Sequence, residues 1–478
     1  MPAVLEAIQF TYAKQIVSFL AGSQPCLTAV QRVVWLYPQL ISALSSEDEA
    51  SRSSTKLTTN EDNHEKAKKI ALIENIIATI FAVIGVGALC TLVYLSLPAF
   101  GGISDLPEYY APAKLILEGH GADGYTLKGL QEAQHRLYPS MGPRIVPLFV
   151  PPQGLALLTP IAFVPPEAMR YVWKFLLAGC LATAIFVMKK TFNLGYKQTC
   201  YLLAAIGLSD AAYNSLRIDQ LAPMLLLSYI GAIYCLEKKQ DIGAGFFLAF
   251  FVLKPQQLLP FLAYLAGAKR FKALIVCAII FAVLSVIAFF QMGTTGISNY
   301  MSLVSAPSSV PYMQPELNPT VRGQLLRLFP DAAPTIFTVT SALYIATIAL
   351  GVFVGWKFRS HENALRLGAL GFIPLALVAS MHCHTYDLLL LVPTIIMIFN
   401  DSLIPFGQVW KLAVMLGTIV FVLPVSIEIQ HNYLLKGGQL NPWFFLLLAL
   451  SIALFIYLWK KSPVINSGTT KPANSEGT

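Results

Sequence analysis

Four groups of polar residues interrupt a strongly apolar sequence, and each holds side chains that could do chemistry. "SDLPEYY" brings Asp105, Glu108, Tyr109 and Tyr110 together, with His120 further along. "LNPTVRGQLLRLFPD" carries Asn318, Arg322, Arg327 and Asp331; "SMHCHTYD" carries His382, His384 and Asp387; "FFVLKPQQLLPF" buries Lys254 in an apolar run. A carboxylate can take the proton of an attacking hydroxyl. Lysine, arginine and imidazole can hold an anionic oxygen through charge-assisted hydrogen bonds.

Plainer readings stand beside these. A carboxylate just past an apolar segment also suits a solvated interface. Two imidazoles at 382 and 384 with no glutamate at ligand spacing read as a hydrogen-bonding pair, so no metal site is expected. Arg217 and Asp219 in "NSLRIDQLAP" read equally as an ion pair in a tight turn. Lys254 is different, because a lysine at membrane depth costs about 2.5–3.5 kcal/mol on insertion scales and is a functional candidate by default.

The elements that must position these residues are set by composition. The chain has 478 residues, of which 56% are hydrophobic and 12% charged, and its mean hydropathy is +0.62. That is far more apolar than a soluble domain. Many runs of about 16–25 apolar residues match the ~20 that a helix needs to cross a hydrocarbon core about 30 Å thick. The short alternating segments of a β-barrel are missing. The expected class is therefore an all-α, polytopic integral membrane protein. Its seven cysteines are scattered singly, with no CxxC, and read as packing residues. The net charge of +8 comes from basic loops on one side of a membrane and calls for no nucleic-acid partner. The first long apolar run starts near Ile70, too late for the core of a cleavable signal peptide.

Residues 1–69 end in the Ser/Thr-, Glu- and Lys-rich run "SSEDEASRSSTKLTTNEDNHEKAKK", which is expected to be a disordered cytoplasmic tail, as is 462–478. Between them, 70–461 forms the membrane domain. Apolar windows fall at 76–98, 168–188, 199–216, 221–236, 243–267, 273–291, 335–356, 364–381, 386–399, 412–427 and 442–459. Basic loops mark the cytoplasmic side, and they place both termini there and the 100–167, 217–220, 292–334, 382–385 and 428–441 loops outside. Lys254 and Pro255 divide the 243–267 window into a re-entrant or hairpin unit, which brings the count to about 12 spans. The proline-rich run 144–166 is placed as a juxtamembrane element. The long loops face outward, so function is expected there, in the cell (plasma or inner) membrane. No GxxxxGK[ST] loop, no GxGxxG turn and no nucleotide-binding domain is visible, so an activated small molecule would have to arrive attached to a lipid.

In order along the chain, "SDLPEYYAPAKLILEG", "GYTL", "VPPQGLALLTPIAFVPPEAMRYVW", "SLRIDQLAPMLLLSYIGAIYCLEKKQDIGAGFFLAFFVLKPQQLLPF", "LNPTVRGQLLRLF" and "SMHCHTYDLLLLVP" resemble glycosyltransferase family 87, from about residue 75 to 460. That family consists of membrane glycosyltransferases of the GT-C type and includes polyprenyl-phosphate-mannose-dependent enzymes of the cell envelope. The resemblance implies an inverting hexosyltransferase that moves a sugar, mannose favoured, from a polyprenyl-phosphate carrier to a hydroxyl of a cell-envelope glycolipid or glycan. It implies a GT-C-like helical bundle with juxtamembrane helices in the first outer loop, a lipid-linked donor as substrate and no cofactor. Asp105 matches the family's aspartate base. His384, in the matched H-x-Y-D turn, Lys254 and then Arg322 are assigned to the donor phosphate, with weaker substrate contacts at Tyr109, Tyr110, Gln220, Asn318 and Asp387. The sequence departs from the family where "FVPP" has Val150 before Pro151, and where "IDQLAP" keeps Gln220 but lacks the usual glycine and asparagine. Two other classes fit less well. A lipid-linked glycan polymerase or ligase would carry more arginine in its outer loops. A transporter or flippase shares the broken helix with a buried lysine, but no internal repeat is apparent.

Overall fold

A computed structural model describes residues 60–96, 104–142, 144–305, 314–360, 364–399, 425–426 and 429–461. The expected tail 1–59, most of the 412–427 window and the C-terminal 462–478 lie outside these residues. Contacts divide the chain into two compact units, Met1–Ala78 and Thr79–Thr478. In the first, the described residues 60–78 are helical: α1 (Asn60–Ser96) starts within the polar run, and Glu65 pairs with Lys69 one turn on at 2.9 Å. The boundary expected at residue 69 therefore falls inside a helix.

Among the described residues all regular structure is helical, with no strand. After α1 come α2 (Leu106–Leu117), α3 (Leu127–Leu137), α4 (Pro152–Leu158), α5 (Pro166–Thr191), α6 (Tyr196–Gly207), α7 (Asp210–Arg217), α8 (Ala222–Glu237) and α9 (Asp241–Ala249). They are followed by α10 (Leu259–Gly267), α11 (Phe271–Ser305), α12 (Val321–Leu328), α13 (Ala333–Phe358), α14 (Ala364–Ala379), α15 (Val392–Phe399) and α16 (Pro442–Lys461). Among the described residues four stretches, Ala67–Thr91, Pro166–Thr191, Phe271–Ser305 and Pro330–Phe358, are helices long and apolar enough to cross a membrane. Phe175, Ile242 and Phe290 stay more than 70% exposed, as suits side chains facing lipid.

The expected count of about 12 spans is thus not reproduced as continuous helices, and identifiable residues cause the breaks. The 199–216 window splits at Leu208, because Ser209 caps a new helix by accepting from the Ala212 N–H. The 386–399 window begins as a tight 3₁₀ turn, Thr385–Leu391, before α15. Lys254 and Pro255 separate the 3₁₀ turns Phe250–Leu253 and Pro255–Gln257 in the middle of the 243–267 unit, as expected of a broken helix. In the opposite direction, α11 runs into the expected 292–334 loop, turning at Gly293 with φ 63°, a conformation open to glycine.

Within the second unit α5 packs on α8, α8 on α9, α9 on α11, α10 on α13, and α14 on α13 and α16. Trp173, Tyr229, Phe261, Tyr264 and Trp443 are fully buried. Glycines let α10 and α13 approach closely: a Cβ on Gly267 or Gly355 would overlap the backbone of the facing helix, the small-residue packing used between membrane helices. In α2, Leu106, Tyr109, Tyr110, Ala111, Ala113 and Leu115 are buried, because α2 packs against α3, α4 and the Thr159–Phe163 turn.

Candidate active site

Asp105 sits immediately before α2, with its backbone N–H on the Ile218 carbonyl at 2.9 Å. One carboxylate oxygen accepts from Gln220 Nε2 at 2.7 Å and the other from Arg144 Nη2 at 3.2 Å. Gln220 in turn accepts from the Tyr109 hydroxyl at 3.3 Å. Burial raises the Asp105 pKa above the usual carboxylate value, while Arg144 and Gln220 pull it back. Glu108, one helical turn on, is buried and accepts from the Phe149 N–H at 3.4 Å. Burial, aided by the charge of Asp105, pushes its pKa up to about 8. Burial thus pushes both carboxylates toward the protonated form, Glu108 to a pKa of about 8.

The turn that meets Asp105 is held from below. Asp219 adopts a left-handed φ of 67°, accepts from Ser104 Oγ at 2.6 Å and pairs with Lys174 Nζ at 2.8 Å. The same ammonium donates to the Leu216 and Arg217 carbonyls that end α7, and Trp173 Nε1 donates to the Asp219 carbonyl at 3.0 Å. Asp219 is therefore paired with Lys174 on α5, and not with Arg217 as the sequence suggested. Arg217 lies over the Tyr213 ring, 5.5 Å from its centroid.

Lys254 stands at the break between the two 3₁₀ turns, buried, with Nζ 2.7 Å from Asp387 Oδ1. The other Asp387 oxygen accepts from the His384 N–H at 3.0 Å, and the ammonium lies 4.8 Å from the centroid of the Tyr386 ring. The field of Lys254 reaches both Asp105 and Glu108, so the carboxylates of "SDLPEYY", the lysine of "LKPQ" and the "HTYD" turn form one cluster. His382 and His384 pack edge to face, 4.6 Å between centroids. Burial, with Lys254 nearby, lowers both pKa values, that of His382 to about 4. At neutral pH they are uncharged hydrogen-bonding groups.

The remaining expected residues divide. Asn318 is buried and accepts from the Cys383 N–H at 3.4 Å, which ties its loop to the two histidines. Arg322 spends Nε on Thr340 Oγ1 at 2.9 Å and Nη2 on Ser341 Oγ at 3.0 Å, both on α13. Its charge is felt at His382, and these bonds anchor the guanidinium to α13. The Tyr110 hydroxyl donates to the Val164 carbonyl at 2.7 Å and braces α2. His120, exposed and 3.9 Å from Asp123, stands apart. Among the described residues no three His, Cys, Asp or Glu side chains converge as metal ligands. Sequence reasoning missed Arg144, Lys174 and Tyr386. Lys174 carried the signal that singled out Lys254, a lone lysine within an apolar run.

Residues 149–380 match the family model of glycosyltransferase family 87, so this segment, just under half of the chain, is similar to that family of glycosyltransferases. The matched segment holds Gln220, Lys254, Asn318 and Arg322, and it is shorter than the stretch spanned by the motifs. Asp105, Tyr109, Tyr110, His384 and Asp387 lie outside it. No curated protein and no solved structure matches the chain.

Proposed function

We propose that this protein transfers a hexose or pentose, mannose favoured, from a polyprenyl-phosphate carrier to a hydroxyl of a cell-envelope glycolipid or glycan, with inversion at the anomeric carbon. The observation that carries this reading is the single buried cluster in which Asp105, held by Gln220 and Arg144, shares its surroundings with Lys254, Asp387 and the two histidines. Asp105 takes the proton of the acceptor hydroxyl as its oxygen bonds to the anomeric carbon. The bond from that carbon to the phosphate oxygen breaks, and the lipid phosphate leaves with the electron pair. A phosphate is a good leaving group, so one carboxylate suffices where glycoside hydrolysis needs two. Lys254 and the neutral His384 hold the departing phosphate, and exclusion of water strengthens both contacts. Glu108, protonated at neutral pH, adds no second negative charge beside the base. Tyr109 and Gln220 fix the base, Asn318 and Asp387 fix the imidazole and lysine side, and the site faces the outer side of a bundle of about 12 passes with both termini cytoplasmic.

The test is to incubate the purified protein in lipid bilayers with a panel of polyprenyl-phosphate sugars and an envelope lipid extract. The expected result is release of polyprenyl phosphate from one donor together with a glycosylated product. Release from none of the panel overturns the proposal.

A further inference from the structure

Away from the buried cluster, the segments 315–330 and 434–439 enclose a groove of about 370 Å³, within the range of small-ligand sites. Both segments belong to loops that the charge pattern places on the outer side. Glu316, Leu326, Arg327, Leu435 and Gln439 are among its walls, and the walls are fastened to each other. The Gln324 amide donates to the Gln439 carbonyl at 2.7 Å and accepts from the Asn441 N–H at 2.9 Å. Arg327 Nη1 donates to the Glu316 carbonyl at 2.7 Å, and the Asn441 amide reaches the same oxygen at 3.4 Å. These bonds fix the backbone, while the Glu316 side chain remains exposed and Arg327 keeps guanidinium donors beyond that one bond. Phe329 and Tyr433, which flank the walls, are 58% and 41% exposed.

The lining selects among ligands. A bare phosphate would be repelled by Glu316, and a lipid tail would strip water from Arg327 without replacing its hydrogen bonds. A saccharide meets both side chains, because each hydroxyl is at once donor and acceptor, and its apolar ring face can rest on Leu326 or Leu435. Location agrees: Asn318, two residues after Glu316, is bonded to Cys383 between the two histidines of the cluster.

We propose that this groove binds the glycan portion of the acceptor and presents its terminal hydroxyl toward Asp105. The inference rests on the transferase reading for the word acceptor, and its test does not depend on turnover. Free mannose disaccharides of differing linkage are added, without donor, to the purified protein in nanodiscs, and saturation-transfer NMR records binding to wild type, Arg327→Ala, Glu316→Gln and Asp105→Asn. The expected result is binding of at least one disaccharide by wild type and by Asp105→Asn, weakened ~10-fold in the Arg327 and Glu316 variants through loss of a charge-assisted hydrogen bond. Binding of the donor lipid should be unchanged in those two variants. Absence of binding by any disaccharide to wild type, or equal binding by both groove variants, overturns the proposal. Loss of turnover in Asp105→Asn with binding intact would bear on the base alone.

Discussion

Asp105 and Lys254 occupy two sides of one cluster and hold their charges differently. The Asp105 carboxylate is met by a neutral amide and, at 3.2 Å, by a partly exposed arginine. The Lys254 ammonium is matched at 2.7 Å by a carboxylate with no solvent exposure. Burial raises the basicity of Asp105, and the Arg144 charge and the Gln220 hydrogen bond pull it back only in part. A buried lysine paired with a buried aspartate leaves little net charge until an anion arrives to share it. In the proposed mechanism one side accepts the proton and the other holds the phosphate.

The largest effect that would break this contrast is expected on the lysine side. Lys254→Ala strands the fully buried Asp387 and should cost about 3–5 kcal/mol of stability, the usual result of halving a buried pair. A Lys254→Met, Asp387→Leu double variant should recover most of that in thermal unfolding while remaining unable to bind the donor lipid. Normal donor affinity in the double variant would return the pair to a structural role.

Next comes the strut under the base. Lys174→Met frees the 217–220 turn that carries Gln220, and loss of a well-set geometry of this kind can cost roughly 10²-fold. The account expects a fall in kcat with donor KM little changed. Loss confined to KM would speak against a positioning role.

Glu108 sharpens the comparison through pH. Its carboxyl titrates near 4.5 ordinarily and at about 8 in the folded protein, so between those values the folded state binds more protons than the unfolded one. Stability contributed by this group is therefore lost as pH rises from about 4.5 to 8. Glu108→Gln should flatten that decline in chemical denaturation run across the same range. An unchanged slope would show that Glu108 is ionised in the fold. The smallest effect on turnover is expected from Arg322→Gln, which removes bonds to α13 and should lower stability by about 1.5–3 kcal/mol while leaving kcat within about threefold, under ~0.7 kcal/mol of barrier.

Much of the cluster was legible before the fold. Lys254 stood out because a lysine is costly in apolar surroundings, and Asp105, His384 and Asp387 through the outer-loop motifs and the family resemblance; the structure brings them together. Continuity of the helices was not legible. Hydropathy sums apolar side chains over a window and does not see a Ser209 cap, a 3₁₀ start at Thr385 or a positive φ at Gly293. Lys174 was legible in type but not in partner, since Asp219 lies in a turn 45 residues away in sequence and only the packing of α5 on α8 brings the two together. The partners of Arg322 were likewise not legible, since Thr340 and Ser341 on α13 meet it only in the fold.

The central claim is that Asp105 removes the acceptor proton. It is met most directly by Asp105→Asn in reconstituted bilayers, with sugar transfer and donor-lipid binding measured on the same preparation. The account predicts transfer reduced about 10²–10⁴-fold with donor binding retained. Turnover near that of the wild type would contradict it.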